Sequence, residues 1–206
     1  MLGRGSDELK PSTESWGSGL EILADQRPDL RIVNLENAIT TNPHQFPAGN
    51  KKHFKMHPDN IESLTSANID CCCIANDHVF DYGIVDDETQ YFLEGVGIRH
   101  AGVGVDSWDA GSPTMFPVDI PPLVTAENLF CEKSTSQDSF SFLRVGVISA
   151  ATFNSGVPRT WAATVDKPGM HVIDLTSERR ISLHLFNPSF LSFLDSFTPS
   201  CHMVTL

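Results

Sequence analysis

The chain is poor in basic residues and has no long apolar run. Its 206 residues include 14 Lys and Arg against 26 Asp and Glu, giving a formal net charge of −12 and a pI of about 4.9. A strongly acidic surface repels phosphate backbones, so we expect no nucleic-acid partner. No stretch approaches the roughly 18 apolar residues of a membrane span, and no signal peptide opens the chain. As written, the sequence predicts a soluble cytoplasmic protein; its true N-terminus and oligomeric state are left open.

Spaced cysteine pairs and the common catalytic fingerprints are also absent. Three of the five cysteines, Cys71, Cys72 and Cys73, are consecutive, and no C-x-x-C pair suggests a metal site. Neighbouring residues on a strand point to opposite faces and bridge poorly, so we interpret these three as buried small residues of a central strand. No G-x-S-x-G motif supports a serine hydrolase. Gly102-x-Gly104 lacks the third glycine of a dinucleotide fingerprint.

Short apolar runs alternate with amphipathic segments along the chain. The runs predict buried strands at residues 30–35, 69–75, 98–103 and 143–151. Helices are predicted over residues 17–26, over a segment with Asp59 as N-cap and Glu62 completing a capping box, and over residues 86–95. Strands alternating with helices through short links predict an α/β fold with a mainly parallel sheet flanked by helices.

Three segments have no such pattern. Residues 41–57 and 105–141 are rich in loop-forming residues, and we predict a loop and a surface insertion or long loop there. Residues 185–206 are rich in Phe and Ser without a helical or strand period, so we predict that they pack poorly. The predicted domain covers residues 1–175, followed by a divergent tail over residues 176–206 for which disorder is one alternative.

Polar side chains follow the first two predicted strands. In open α/β sheets, ligands bind outside the carboxyl ends of the strands, where such side chains converge. Carboxylate and imidazole ligands suit a divalent metal such as Mn, Fe or Zn. The alternative is that these residues only cap turns, as Asn and Asp commonly do. This strand-end cluster comprises Asn34, Glu36, Asn76, Asp77, His78 and Asp81.

A second cluster is basic, in a chain that is otherwise acidic. It offers either a binding surface for an anionic substrate or only a solvated loop. Its members are Lys51, Lys52, His53, Lys55 and His57, which we call the basic segment (residues 51–57), with His44 nearby.

The motifs together resemble those of the CapA family of poly-gamma-glutamate capsule synthesis proteins. The matching pieces occur in the family's order and with family-like spacing, and N-L-E-N followed by A-N-D-H-x-x-D-Y-G is the most specific part. The pieces are MLGRG (1–5), DLRIVNLENAIT (29–40), KKHFKMHPDNIESLTSANIDCCCIANDHVFDYG (51–83), ETQYFLEGVGIRHAGVG (88–104) and SGVPRTWAATVDKPG (155–169).

The resemblance implies a calcineurin-like metallophosphoesterase sandwich, here a partial one, in which several motif loops converge on a two-metal centre. It implies that Glu36 and Asp77 are metal ligands, with Asp77 where the family usually has Asn. It also implies that His78 is the catalytic histidine, acting as general acid or transition-state stabiliser. Asn34, Asn76 and Asp81 would support the loops. The implied cofactor is a divalent metal (Mn, Fe or Zn), and the implied partner is an anionic small molecule or polymer.

The sequence departs from the family pattern in two places. The family has a Gly-Asp pair, whose Asp is a metal ligand, before the segment that matches residues 1–5 here. The family's later H-W-G and G-H-x-x-H motifs supply histidine ligands; Ser182-Leu183-His184 is only superficially similar to the first, and the second is missing. We therefore expect a chain truncated at both ends, with weak or no metal binding.

Two classes of function follow from this. One is a metal-dependent enzyme, either phosphoesterase-like or an amide-ligating accessory, in the synthesis of an anionic polymer such as poly-gamma-glutamate. The other is a non-catalytic product, either a polyanion-binding module or an inactive truncation. The sequence leaves open whether the chain is an enzyme.

Overall fold

A computed structural model describes residues 15–46, 52–83, 88–119, 142–174 and 201–205 of the chain. The helices in these ranges are α1 (Gly19–Gln26), α2 (Glu62–Ser66), α3 (Glu88–Gly95) and α4 (Ser107–Ala110). The strands are β1 (Ile32–Asn34), β2 (Ala38–Ile39), β3 (Lys55–Met56), β4 (Cys71–Cys73), β5 (Arg99–Ala101), β6 (Val103–Gly104), β7 (Thr114–Asp119), β8 (Phe142–Ile148), β9 (Ala151–Thr152), β10 (Gly169–Met170), β11 (Val172–Ile173) and β12 (Cys201–Thr205).

The sheet that positions the strand-end cluster is parallel and has the order β1-β4-β5. Its central strand consists of Cys71, Cys72 and Cys73, all free and all buried, as the sequence predicted. Burial raises the pKa of Cys71 and of Cys72 to about 12 and raises that of Cys73 as well. These thiols are therefore neutral and fill space, and they are not nucleophiles.

Helices cover one face of this sheet. Cys72 belongs to the larger hydrophobic cluster, together with Leu64 of α2 and Leu93 of α3, and both leucines are completely buried. Because β1, β4 and β5 are parallel, the connections between them cross the sheet, and α2 and α3 of these connections pack on the face that carries Cys72. None of the helices in the described ranges is long and apolar enough to cross a membrane.

A second sheet covers the other face. Cys71 and Cys73 point away from the helices and belong to a second hydrophobic cluster with Phe116 of β7 and Val145 and Val147 of β8. This sheet has the order β12-β8-β7, with β12 parallel and β7 antiparallel to β8. The arrangement of helices, parallel sheet and second sheet confirms the predicted α/β class and its layered architecture.

Short strand pairs complete the described structure beyond the carboxyl ends of the parallel sheet. Strand β2 lies parallel to β3, β6 lies antiparallel to β10, and β9 lies parallel to β11. Trp161 is buried beneath these segments, with the rings of Phe46 and Phe80 packed edge-on at 5.7 and 5.5 Å between centroids.

The predicted capping box at Asp59 was wrong. His57 is the N-cap of a 3-10 turn over Pro58–Asn60, and its Nδ1 atom accepts the Asp59 N–H at 3.3 Å. Helix α2 begins only at Glu62. The proline explains the difference, because its fixed φ angle suits the first position of a helical turn and starts the turn earlier than the predicted cap.

The predicted irregular segments contain strands. Strand β3 lies within the predicted loop 41–57, and α4 and β7 lie within the predicted insertion 105–141. Among the residues that the structure describes, β7 pairs with β8 on one side only, and a proline is tolerated at such an edge, as at Pro117. Residues 120–141 lie outside the described residues.

The predicted tail is regular in the part that the structure describes. Residues 201–205 form β12, parallel to β8. The predicted domain boundary at residue 175 and residues 175–200 lie outside the described residues.

Candidate functional site

The loops that follow β1 and β4 meet at the carboxyl edge of the parallel sheet. The two strands are hydrogen-bonded neighbours, with Asn34 in register with Cys73. Asn34 and Asn76 join the loops directly, since the Asn76 Nδ2 atom donates to the Asn34 Oδ1 atom at 3.2 Å. The Asn34 Nδ2 atom donates in turn to the Glu36 Oε1 atom at 3.0 Å. The predicted strand-end cluster is therefore connected by hydrogen bonds across two strands.

Asn76 is the buried centre of this network. Its Nδ2 atom also donates to the Leu35 carbonyl at 2.9 Å. Its Oδ1 atom accepts the backbone N–H groups of His78 at 3.1 Å and Val79 at 3.0 Å, which caps the turn that carries His78. Asn76 thus fixes the position of the His78 turn relative to β1.

His78 is paired with a buried acid. Its Nδ1 atom lies 2.8 Å from the Asp81 Oδ2 atom, and the side chains of His78 and Asp81 are 13% and 2% exposed. The same Oδ2 atom accepts the Phe54 N–H at 2.7 Å. Burial raises the pKa of Asp81 above its ordinary value, and these hydrogen bonds oppose that rise.

This geometry favours one tautomer of a neutral His78. Because Nδ1 lies in hydrogen-bond contact with a carboxylate oxygen, we expect it to carry the proton and Nε2 to keep its lone pair. Nε2 lies 3.7 Å from the Asp77 Oδ2 atom, on a side chain that is 27% exposed. The arrangement presents an unprotonated imidazole nitrogen and a carboxylate together at the edge of the sheet.

The metal implied by the family resemblance is not supported by the described ligands alone. Among the residues that the structure describes, no three His, Cys, Asp or Glu side chains come together to hold a metal ion. Asp77 and His78 form a pair, whereas zinc sites use three or four protein ligands. Glu36 is exposed and accepts the Asn34 amide. The described residues therefore do not complete a metal centre, and the ligand roles of Glu36 and Asp77 stay predictions.

Part of the basic segment lies against this site. The Phe54 ring packs on the His78 ring at 4.4 Å between centroids. The Lys55 Nζ atom lies 5.2 Å from the centre of the Tyr82 ring, and the His53 ring packs edge-on to Tyr82 at 6.3 Å. The central residues of the basic segment therefore line the His78 turn. A solvated loop was one of the two alternatives that the sequence left open for this segment.

The outer residues of the basic segment and the nearby His44 have other surroundings. His57 caps the turn at Pro58–Asn60, and His44 is exposed. Lys51 lies outside the described residues.

The glycines after β5 have a packing role. Gly102 has a φ angle of +105°, and a Cβ atom there would lie 2.6 Å from the Ala75 Cβ atom and 2.8 Å from the Ser149 Cβ atom. The Ser149 Oγ atom accepts the Ala75 N–H at 3.2 Å, just before Asn76. Gly102 thus allows the end of β5 to pass close to the residue that precedes the Asn76 turn.

Sequence reasoning missed Phe54 as part of the site. Its contacts are to Asp81 and His78, more than 20 residues further along the chain, so no local pattern specifies them. A usable signal was present in the alternation of the apolar Phe54 and Met56 with charged neighbours, which has the period of a strand.

Comparison with known proteins agrees with these motifs. The family model described as bacterial capsule synthesis protein PGA_cap matches residues 1–142. Two curated relatives from Mycobacterium tuberculosis, strains CDC 1551 / Oshkosh and ATCC 25618 / H37Rv, are each named a probable polyglutamine synthesis accessory protein. Each is 32% identical over 168 residues, which is 81% of this chain and 38% of the relative. The chain thus spans well under half the length of these relatives. By its motifs and by this match, the chain belongs to the bacterial capsule synthesis protein family, PGA_cap, as the CapA resemblance predicted.

Proposed function

We propose that this chain carries the acid–base part of a phosphoesterase-like site that acts on an anionic substrate in the synthesis of a capsule-type polymer. Poly-gamma-glutamate is the polymer that the family resemblance implies. The observation that carries the proposal is the pairing of His78 with the buried Asp81 at the carboxyl edge of the parallel sheet.

The chemistry follows from this pair. The Nε2 lone pair of His78 accepts a proton from an attacking water, and the protonated ring then donates it to a leaving oxygen. The Asp81 carboxylate holds the ring by Nδ1 and stabilises the imidazolium that forms. Lys55, which packs on the Tyr82 ring, provides positive charge near the His78 turn, and Lys52 precedes it by three residues in the basic segment. This charge favours an anionic substrate over a neutral one.

A divalent metal stays a prediction of the resemblance. When bound, such an ion would supply Lewis-acid activation of the phosphoryl group. Among the described residues, Asp77 and His78 are the two side chains that lie together where such an ion would bind. We assign no step to the metal, because these two side chains do not complete a ligand set.

The enzymatic proposal is tested with a chromogenic phosphodiester, bis(p-nitrophenyl) phosphate, with and without added Mn. We expect hydrolysis by the chain to fall by about a hundredfold or more in His78→Ala, the usual contribution of an acid–base group. The matched control is His57→Ala, because the recorded polar contacts of the His57 side chain are to Asp59. Absence of hydrolysis by the unaltered chain, or equal rates in His78→Ala and His57→Ala, would contradict the proposal.

The second candidate is a polyanion-binding module without turnover. The observation that favours it is the packing of His53 and Lys55 against Tyr82, four residues after His78, in a chain of net charge −12. Titration of fluorescently labelled poly-gamma-glutamate, followed by anisotropy, tests it. We expect weaker binding in Lys52→Gln/Lys55→Gln than in the charge-matched control Arg27→Gln/Lys167→Gln, and weaker binding as salt rises. Equal loss in both double variants would show only a non-specific charge effect.

A further inference from the structure

Phe54 contacts the loops that follow both β1 and β4. Its carbonyl accepts the Ala38 N–H at 3.1 Å, two residues after Glu36. Its N–H donates to the Asp81 Oδ2 atom at 2.7 Å, three residues after His78. The backbone of this one residue therefore joins the Glu36 loop to the His78 turn.

The Phe54 side chain contacts His78 itself. The two rings lie 4.4 Å apart between centroids at an interplanar angle of 55°, and Phe54 is half-buried. The Asp81 hydrogen bond holds the imidazole at one atom, Nδ1, and restrains rotation of the ring about its Cβ–Cγ bond only loosely, because a hydrogen bond tolerates tens of degrees of misalignment. The tilted Phe54 ring packs against the imidazole and limits this rotation further.

We infer that Phe54 is a positioning residue that sets the plane of the His78 ring, so that Nε2 is presented at the sheet edge beside Asp77. Both contacts of Phe54 act on the His78–Asp81 pair. Its N–H fixes the position of the Asp81 carboxylate, and its ring fixes the orientation of the His78 imidazole. Aromatic contacts of this kind change an equilibrium by about two- to tenfold. The consequence for rate rests on the proposed function, whereas the consequence for the orientation of His78 does not.

The test is nuclear magnetic resonance of the folded chain with ¹⁵N-labelled histidine. In the unaltered protein we expect nuclear Overhauser contacts between the Phe54 and His78 rings, and a His78 signal set of the Nδ1–H tautomer. In Phe54→Leu we expect loss of the ring-current displacement of the His78 protons and a two- to tenfold rise in the minor tautomer. Phe54→Tyr should restore both signatures. Phe92→Leu, which alters a partly buried ring packed on the larger core cluster, should leave them unchanged.

Two results would overturn the inference. One is the absence of contacts between the two rings in the unaltered chain, a measurement that needs no variant to fold. The other is a folded Phe54→Leu protein whose His78 signals match those of the unaltered chain. These signals do not depend on turnover, so an inactive chain would contradict the proposed function and leave the test of Phe54 intact. In an active chain, Phe54→Leu should lower kcat with little change in KM, and Phe54→Tyr should recover it.

Discussion

Two histidine–carboxylate pairs lie along the parallel sheet, and only one belongs to the candidate site. His78 and Asp81 lie at the carboxyl edge, where the acid is 2% exposed and also accepts a backbone N–H. His100 is the middle residue of β5 and lies 3.1 Å from Glu94, near the end of α3, whose side chain is 69% exposed. They line an open cavity of about 390 Å³.

The comparison teaches that a short histidine–carboxylate distance alone does not indicate a functional site. An exposed acid is screened by water and holds its partner weakly, whereas a buried acid with a fixed backbone donor orients its histidine. The surroundings differ in the same way. Asn76 and Phe54 hold the His78 turn from two sides, while Gln90 is the one further side chain that the structure records against the His100 ring within the described residues.

The largest difference is expected between two glycines at the two ends of β5. Gly102, at the carboxyl end, combines a φ angle of +105° with no space for a Cβ atom, so Gly102→Ala should destabilise the fold by about 3 kcal/mol. Gly97, at the amino-terminal end, has a φ angle of +77° and no atom within 4 Å of an added Cβ. Gly97→Ala should therefore cost only about 1 kcal/mol of backbone strain. Urea unfolding measures both, and equal costs would show that the carboxyl edge is not tightly packed.

Removal of each acid should separate the two pairs. Asp81→Ala leaves the Phe54 N–H and the His78 Nδ1–H without their acceptor, so we expect a loss of about 2 kcal/mol in the free energy of unfolding. Glu94→Ala removes an exposed partner of His100 and should change stability by less than about 0.5 kcal/mol. Chemical denaturation of the two variants side by side decides this. A Glu94→Ala cost as large as that of Asp81→Ala would remove the distinction between the pairs.

A smaller effect should appear in the pH dependence of stability. Burial raises the pKa of Asp81 above 3.8, so its ionisation makes folding less favourable, and the stability gap between the unaltered chain and Asp81→Asn should shrink as pH rises through the raised value. Glu88, which accepts the Thr40 hydroxyl, has its pKa lowered below 4.5, so its contribution should be full above that value and be lost as pH falls. Thermal unfolding of Asp81→Asn and Glu88→Gln across the acidic range checks these opposite slopes. Parallel slopes would contradict the assigned burial of Asp81.

The sequence allowed prediction of the elements with enough apolar residues to show a pattern. The runs at residues 30–35 and 69–75 contain β1 and β4, and the adjacent cysteines follow the two-residue period of a buried strand. Strand β3 was missed because its two residues lie in a segment rich in loop-forming residues, although Phe54 and Met56 alternate with polar neighbours. Strand β7 was missed because Pro117 argues against a strand unless the strand is known to lie at a sheet edge, which only the tertiary structure shows.

The sequence predicted most of the residues at the site, but it predicted their arrangement only in part. Asn34, Asn76 and His78 were placed at neighbouring strand ends by the rule for parallel sheets, and the structure joins them by hydrogen bonds. The contact between His78 and Asp81 is local, because the two residues are three apart in one turn, but their spacing alone did not single it out. The contact of Phe54 with this pair depends on long-range packing that a single sequence does not specify. The catalytic and metal-ligating roles stay predictions of the family resemblance.

The most direct test of the account is the tautomer of each histidine in one long-range ¹⁵N–¹H spectrum, recorded where the histidines are neutral. His78 faces Asp81 through Nδ1, so the account predicts the Nδ1–H form with a bare Nε2. His100 accepts from Gln90 at Nδ1 and faces Glu94 through Nε2, so it should show the opposite, Nε2–H form. Asp81→Asn should alter the His78 signals and leave those of His100 unchanged. A His78 ring in the Nε2–H form, or one that averages rapidly between both forms, would contradict the account. Its central claim is that the buried Asp81 orients His78 through Nδ1 and leaves Nε2 unprotonated.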